Sequence, residues 1–138
     1  MTSKKRWITT TLFVLYCAFI VWYTLFTRTP KSNRQVDFRL FWAYREWLAG
    51  SANGKKDVLQ NLSNIVFFVP FGMLFPVKKW KAVLSFSALF SILIEALQYI
   101  LGLGLCELDD VICNALGAMI GFWIIMWLKK AVRSIDET

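Results

Sequence analysis

The chain has 138 residues, 57% hydrophobic, 17% aromatic and only 18% charged, with a formal net charge of +7. A soluble globule of this length has too little interior to hide so much apolar surface, so a water-soluble domain is excluded. The absence of histidine excludes histidine-based catalysis and the commonest zinc sites, and no aromatic-rich basic motif or helix-turn-helix pattern points to nucleic acid.

Four apolar stretches account for the excess. Trp7 to Phe26 carries no charge over twenty residues, and a helix of that length matches the hydrocarbon thickness of a bilayer. It follows Lys4, Lys5 and Arg6, lacks a small-x-small cleavage site, and has a bulky Tyr16 directly before Cys17. These features predict an uncleaved signal anchor.

The following segment, Thr27 to Gln60, contains seven basic residues and three acids. Within it Phe38, Phe41, Trp42, Arg45 and Leu48 or Ala49 fall near one face at helical spacing, which predicts a short amphipathic interfacial helix. Gly50-Ser-Ala-Asn-Gly54 is expected to break that helix before the second span. Asn61 to Val77 carries Pro70, Gly72 and Pro76 and reads as a kinked span. Ala82 to Leu103 has one charge, Glu95, and Val111 to Leu128 has none. The fold class is therefore an all-α membrane protein with four transmembrane helices, at about 7–26, 61–77, 82–103 and 111–128, forming a single integral membrane domain.

Short loops rich in Lys and Arg mark the cytoplasmic side. Lys4, Lys5 and Arg6 at the start, Lys78, Lys79 and Lys81 after the second span, and Lys129, Lys130 and Arg133 in the tail lie on one side, whereas Gly102 to Asp110 holds three acids and no base. Both termini are expected in the cytoplasm of a cell-membrane protein. On that topology Asn61, Asn64, Glu95, Gln98, Asp109, Asp110 and Asn114 all fall at the outer end of their spans. Such residues are expensive in lipid unless they face protein, water or a ligand. The pairs 61/64, 95/98 and 110/114 each share a helix face. Asp110, Asn114, Gly117 and Gly121 form one stripe in which the glycines permit close helix approach, so the polar face points inward. The reading is one outward-facing site.

Three stretches resemble the successive signatures of the VanZ-like family: Asn64-Ile-Val-Phe-Phe-Val-Pro-Phe-Gly72, Ile94-Glu-Ala-Leu-Gln98 and Leu108-Asp-Asp-Val-Ile-Cys-Asn-Ala-Leu-Gly-Ala118. The likeness runs from Thr24-Leu-Phe-Thr-Arg28 to about Gly121. The family's namesake is associated with resistance to teicoplanin, a lipoglycopeptide, so the resemblance implies an integral membrane protein affecting susceptibility to envelope antibiotics; it implies no established reaction. Where the resemblance leads to expect a base before the aspartates, this chain has Leu103-Gly-Leu-Cys106, leaving Arg28 or Arg45 to pair the acids.

The leading expectation is a binding site for an amphiphilic envelope molecule, either the antibiotic or a lipid-linked wall precursor, formed by the seven residues with Arg28 and Arg45. The alternatives are a membrane-embedded enzyme acting on a lipid headgroup or isoprenoid-linked sugar through Glu95, Asp109 and Asp110, and a structural or interaction subunit whose polar residues only join the bundle. No metal and no cofactor are assigned. The bilayer is the evident partner, and homo-oligomerisation stays open because no interface is marked.

Overall fold

A computed structural model of the chain describes residues 3–27, 36–37, 39–77, 79–103 and 106–136. Four of its helices are long and apolar enough to cross a membrane: α1 (Ser3–Phe26), α3 (Ala52–Leu74), α4 (Trp80–Leu101) and α5 (Leu108–Asp136). A seven-residue helix, α2 (Trp42–Leu48), lies between α1 and α3. Two short strands, β1 (Val36–Asp37) and β2 (Cys106–Glu107), pair in parallel, Val36 with Cys106 and Asp37 with Glu107. They tie the first loop to the α4–α5 turn at what is here called the loop end of the bundle.

The second apolar helix starts nine residues before its expected boundary. Ser51 adopts an extended conformation and its hydroxyl accepts from Gly54 N at 3.4 Å, which caps α3. The break between α2 and α3 falls at Gly50, which is left-handed (φ 86°), and Gly54 lies inside α3. A side chain there would collide with the backbone of Trp47 and Glu46, so its bareness lets α2 dock on the first turns of α3. The face that α2 buries against the bundle is Ala43, whereas Leu48 is 83% exposed. Helix α3 runs through Pro70 to Leu74 without interruption.

Helix α3 packs most extensively on α5, and α4 packs on α5; α1 touches α3 and α4 more lightly. The α3–α5 pair runs parallel. A Cβ at Gly117 would fall on the Ile65 carbonyl oxygen and one at Gly121 on the Val69 oxygen, one turn further along both helices. A Cβ at Gly72 would meet the Ala118 carbonyl in return. Bare glycines therefore set the spacing of these helices, as small residues do in membrane bundles.

The end remote from the loops is filled by phenylalanines. Phe13 meets Phe71 edge-on at 4.9 Å and Phe75 at 5.3 Å, and Phe71 stacks on Phe90 at 5.5 Å. This cluster closes the interior of that half with apolar side chains. Polar groups are left to the other half.

Candidate functional site

Helix α4 directs the polar half. Ser87, Ser91, Glu95 and Gln98 recur at helical spacing and are all buried. This face reaches α5 through Ser91, β2 through Glu95 and the last turn of α1 through Gln98. The helix stops after Leu101 because Gly102 takes a left-handed conformation (φ 69°), with Leu103 N donating to Gln98 O at 2.8 Å. That stop returns the chain at once into α5, whose first turn carries Asp109 and Asp110. Acids are favoured there by the exposed N–H groups and the helix dipole.

Between α1, α3, α4 and α5 lies a cavity of about 300 Å³. Ile20, Phe68 and Ile94 wall it with apolar groups, and Asn64, Glu95, Gln98, Asp110 and Asn114 supply polar ones. Gln60, Ser63, Thr24, Thr27, Tyr23 and Phe67 complete the lining. Of these polar groups Asn64, Glu95, Gln98 and Asn114 are each positioned by a bond to a neighbour. Gln98 Nε2 donates to Thr24 O, a carbonyl of the last turn of α1, at 3.1 Å. Glu107 N donates to Glu95 Oε2 at 3.1 Å, so β2 stands beside that carboxylate. Asn114 Nδ2 donates to Ser91 Oγ at 2.7 Å, and Gln60 Nε2 to Asn64 Oδ1 at 3.1 Å. The Asn114 Oδ1 is buried and has no hydrogen-bond partner among the described residues. A buried amide oxygen left so costs about 1–3 kcal/mol, which a bound donor would offset.

Five of the seven residues singled out in the sequence thus meet in one cavity. The other two are buried close by but serve other contacts. Asn61 turns to α2, where it is hydrogen-bonded to the Tyr44 hydroxyl. Burial, with the nearby Cys113, raises the Tyr44 pKa above its ordinary value, and the Asn61 bond opposes this. Asp109 accepts from Phe41 N with both oxygens, at 3.1 and 2.9 Å. Phe41 is left-handed (φ 56°), the one non-glycine residue so placed among those described, and it starts α2. Asp109 is therefore a structural acceptor for α2, not a wall of the cavity.

Arg45 does not join the acids. It is exposed and lines a separate surface hollow with Arg39, Leu40, Trp42, Glu46 and Ala49. It sits on α2, whose buried side is Ala43, and this turns the guanidinium away. Arg28 lies outside the described residues. Among the described residues, Arg39 of the first loop pairs with Asp37: Arg39 Nη2 lies 2.6 Å from Asp37 Oδ2, and this bond holds the Asp37 carboxyl below its ordinary range. Among the described residues no three metal-ligating side chains come together.

Ser91, Tyr23, Thr24, Thr27, Gln60 and Ser63 were not expected at the site. Ser91 was legible as the next polar residue on the face of Glu95. The α1 residues carried no such signal, because a threonine or tyrosine near a span end is common. The VanZ/LLP1 family model matches residues 13–129, which takes in every residue of this cavity. The chain belongs to the VanZ/LLP1 family. Comparison with curated proteins and with solved structures returned no match. Within this VanZ/LLP1 protein the three motif stretches converge: Asn64, Glu95 with Gln98, and Asp110 with Asn114 come one set each from α3, α4 and α5.

Proposed function

We propose that this VanZ/LLP1 membrane protein binds the polar head of an amphiphilic envelope molecule in the cavity, at the outer face of the cell membrane. One observation carries the reading: two acids, several amides and hydroxyls, and an unsatisfied buried Asn114 oxygen line a single cavity between membrane-length helices. Polar groups at such a depth favour a ligand that brings hydrogen-bonding partners. The phenylalanine cluster argues for a blind site and against a path through the bundle.

Size selects among the ligand classes. A volume of about 300 Å³ stands at the low end of small-molecule pockets. It suits one headgroup or sugar ring and not an entire lipoglycopeptide. A lipid-linked wall precursor or envelope lipid is therefore the favoured ligand, and any effect on antibiotic susceptibility runs through that lipid. The lysine-rich α3–α4 turn and the basic tail support cytoplasmic termini and an outward-facing cavity.

The test replaces Glu95 by Gln, Asp110 by Asn and Asn114 by Leu, one at a time, at matched membrane abundance. Lipid co-purifying with the protein and susceptibility to lipoglycopeptides are then measured. Loss of a particular lipid species in the variants is expected; wild-type lipid retention and susceptibility in all three would refute the reading. A headgroup-modifying enzyme is the second reading, favoured by Glu95 and Asp110 lining the same cavity. It predicts an altered lipid composition in cells carrying Glu95→Gln, with the lipid still bound.

A further inference from the structure

The cavity has a graded lining. Its deepest groups, among them Glu95, Gln98, Asp110 and Asn114, are at most 5% exposed. Asn64, Thr24 and Phe67 are half-buried, and Tyr23, Thr27, Gln60 and Ser63 are exposed. Those four define the mouth: Tyr23 lies on α1, Thr27 directly follows that helix, and Gln60 and Ser63 lie on α3. The mouth is therefore a slot in the α1–α3 seam.

Its surroundings are apolar. On α3, Leu59, Leu62 and Val66 are 54%, 47% and 68% exposed beside Gln60 and Ser63. On α1, Phe19, Trp22 and Phe26 are exposed at 42%, 55% and 76%. In a bilayer these side chains face lipid, because both helices have the length and composition of membrane spans. At the loop end, by contrast, β2 stands beside Glu95 through the Glu107 amide. Helix α1 is also the least embedded of the four, with Phe13 and Ile20 its only buried residues. Below the mouth it is held to α3 by Tyr16 Oη donating to Phe67 O at 2.7 Å and by the Tyr23–Phe67 stack at 4.8 Å.

We infer that the ligand enters sideways from the membrane through the slot between α1 and α3. The ligand is thus a membrane lipid whose chain stays in the bilayer, against Phe19, Tyr23 and Phe67, while its head reaches Asn114 and Glu95. Gln60 hands the head inward, since its amide already bonds Asn64 at 3.1 Å on the path to the deep groups. A hydroxyl-rich or otherwise donor-bearing head satisfies the Asn114 oxygen, whereas a water-soluble metabolite gains nothing from an apolar rim. The inference rests on the cavity being a lipid-binding site.

The experiment incorporates the photoreactive residue p-benzoylphenylalanine at Ser63 on the rim or at Leu116, an exposed position on α5. Intact cells are illuminated and the adducts are identified by mass spectrometry. In parallel, the lipids co-purifying with the wild type and Asn114→Leu are compared. The expected result is one lipid species enriched about tenfold over its bulk fraction at position 63, equal to about 1.4 kcal/mol of preference. Position 116 should capture bulk lipid, and Asn114→Leu should remove the enrichment at 63. If a co-purifying lipid depends on Asn114 but position 63 captures only bulk lipid, lateral entry is overturned and the binding site stands. If no lipid depends on Asn114, the binding site falls and the inference with it. Capture at 63 of a water-soluble molecule alone overturns the lipid assignment.

Discussion

Gly117→Ala adds one methyl group where α5 meets α3, one turn below Asn114. The new Cβ would sit more than an ångström closer to the Ile65 carbonyl oxygen than an ordinary carbon–oxygen contact. The obstacle is backbone and not a flexible side chain, so the two helices must separate. Forcing a methyl into a packed interface costs about 1–3 kcal/mol. Separation also weakens the neighbouring close approaches at Gly121 and Gly72, at about 0.5–1 kcal/mol for each Cα–H to carbonyl contact. The total is about 2–5 kcal/mol. Because the tilt of α5 carries Asn114 away from Ser91, the 2.7 Å bond between them should weaken as well. Fluorescence-detected size-exclusion after heating in detergent reads the stability, with Leu116→Ala as the control because that side chain is half-exposed. Gly117→Ala should melt well below both the wild type and the control. A melting temperature equal to the control's would refute the close parallel packing of α3 and α5, and with it the placement of Asn114.

Asp109→Ala should detach α2 while leaving the four long helices in place, since it removes a charged acceptor from Phe41 N worth about 1.5–3 kcal/mol. Faster trypsin cleavage at Arg39 or Arg45, with little loss of helical circular dichroism, is the expected signature; unchanged proteolysis would contradict the assigned role. Cys106 reports on the acids. Burial raises its pKa first, and the nearby charges of Glu95, Asp110 and Glu107 raise it further. With Cys17 and Cys113 replaced by Ala, alkylation near pH 8.5 should be slower than for an ordinary thiol, because less thiolate is present. Glu107→Gln should speed it by removing a charge that disfavours the thiolate. Equal rates in the two proteins would mean that the Glu107 carboxylate points away from the Cys106 thiol.

Much of the site was legible because helix geometry is local. The spacing of Glu95 and Gln98, and of Asp110 and Asn114, puts each pair on one face whatever the rest of the chain does. The cost of burying amides and acids in lipid then says that these faces turn inward. Asn61 and Asp109 obey the same rule and are indeed buried, yet they satisfy Tyr44 and the Phe41 amide. Spacing says that a polar side chain needs a partner but not which partner it finds. The contribution of α1 was legible only as the start of the family likeness at Thr24, not as a contact: Thr24 enters the site through a backbone carbonyl, and carbonyls are the same in every sequence.

Sequence alone determined the class, the four apolar helices, the family and the inward set of polar faces, because length, hydropathy and helical period act within single segments. Tertiary structure decided the rest. It paired α3 with α5 in parallel through Gly117 and Gly121, joined β1 to β2, turned Arg45 to the surface and left a mouth between α1 and α3. These depend on which helices approach and how closely, and that is settled by contacts between residues far apart in the chain.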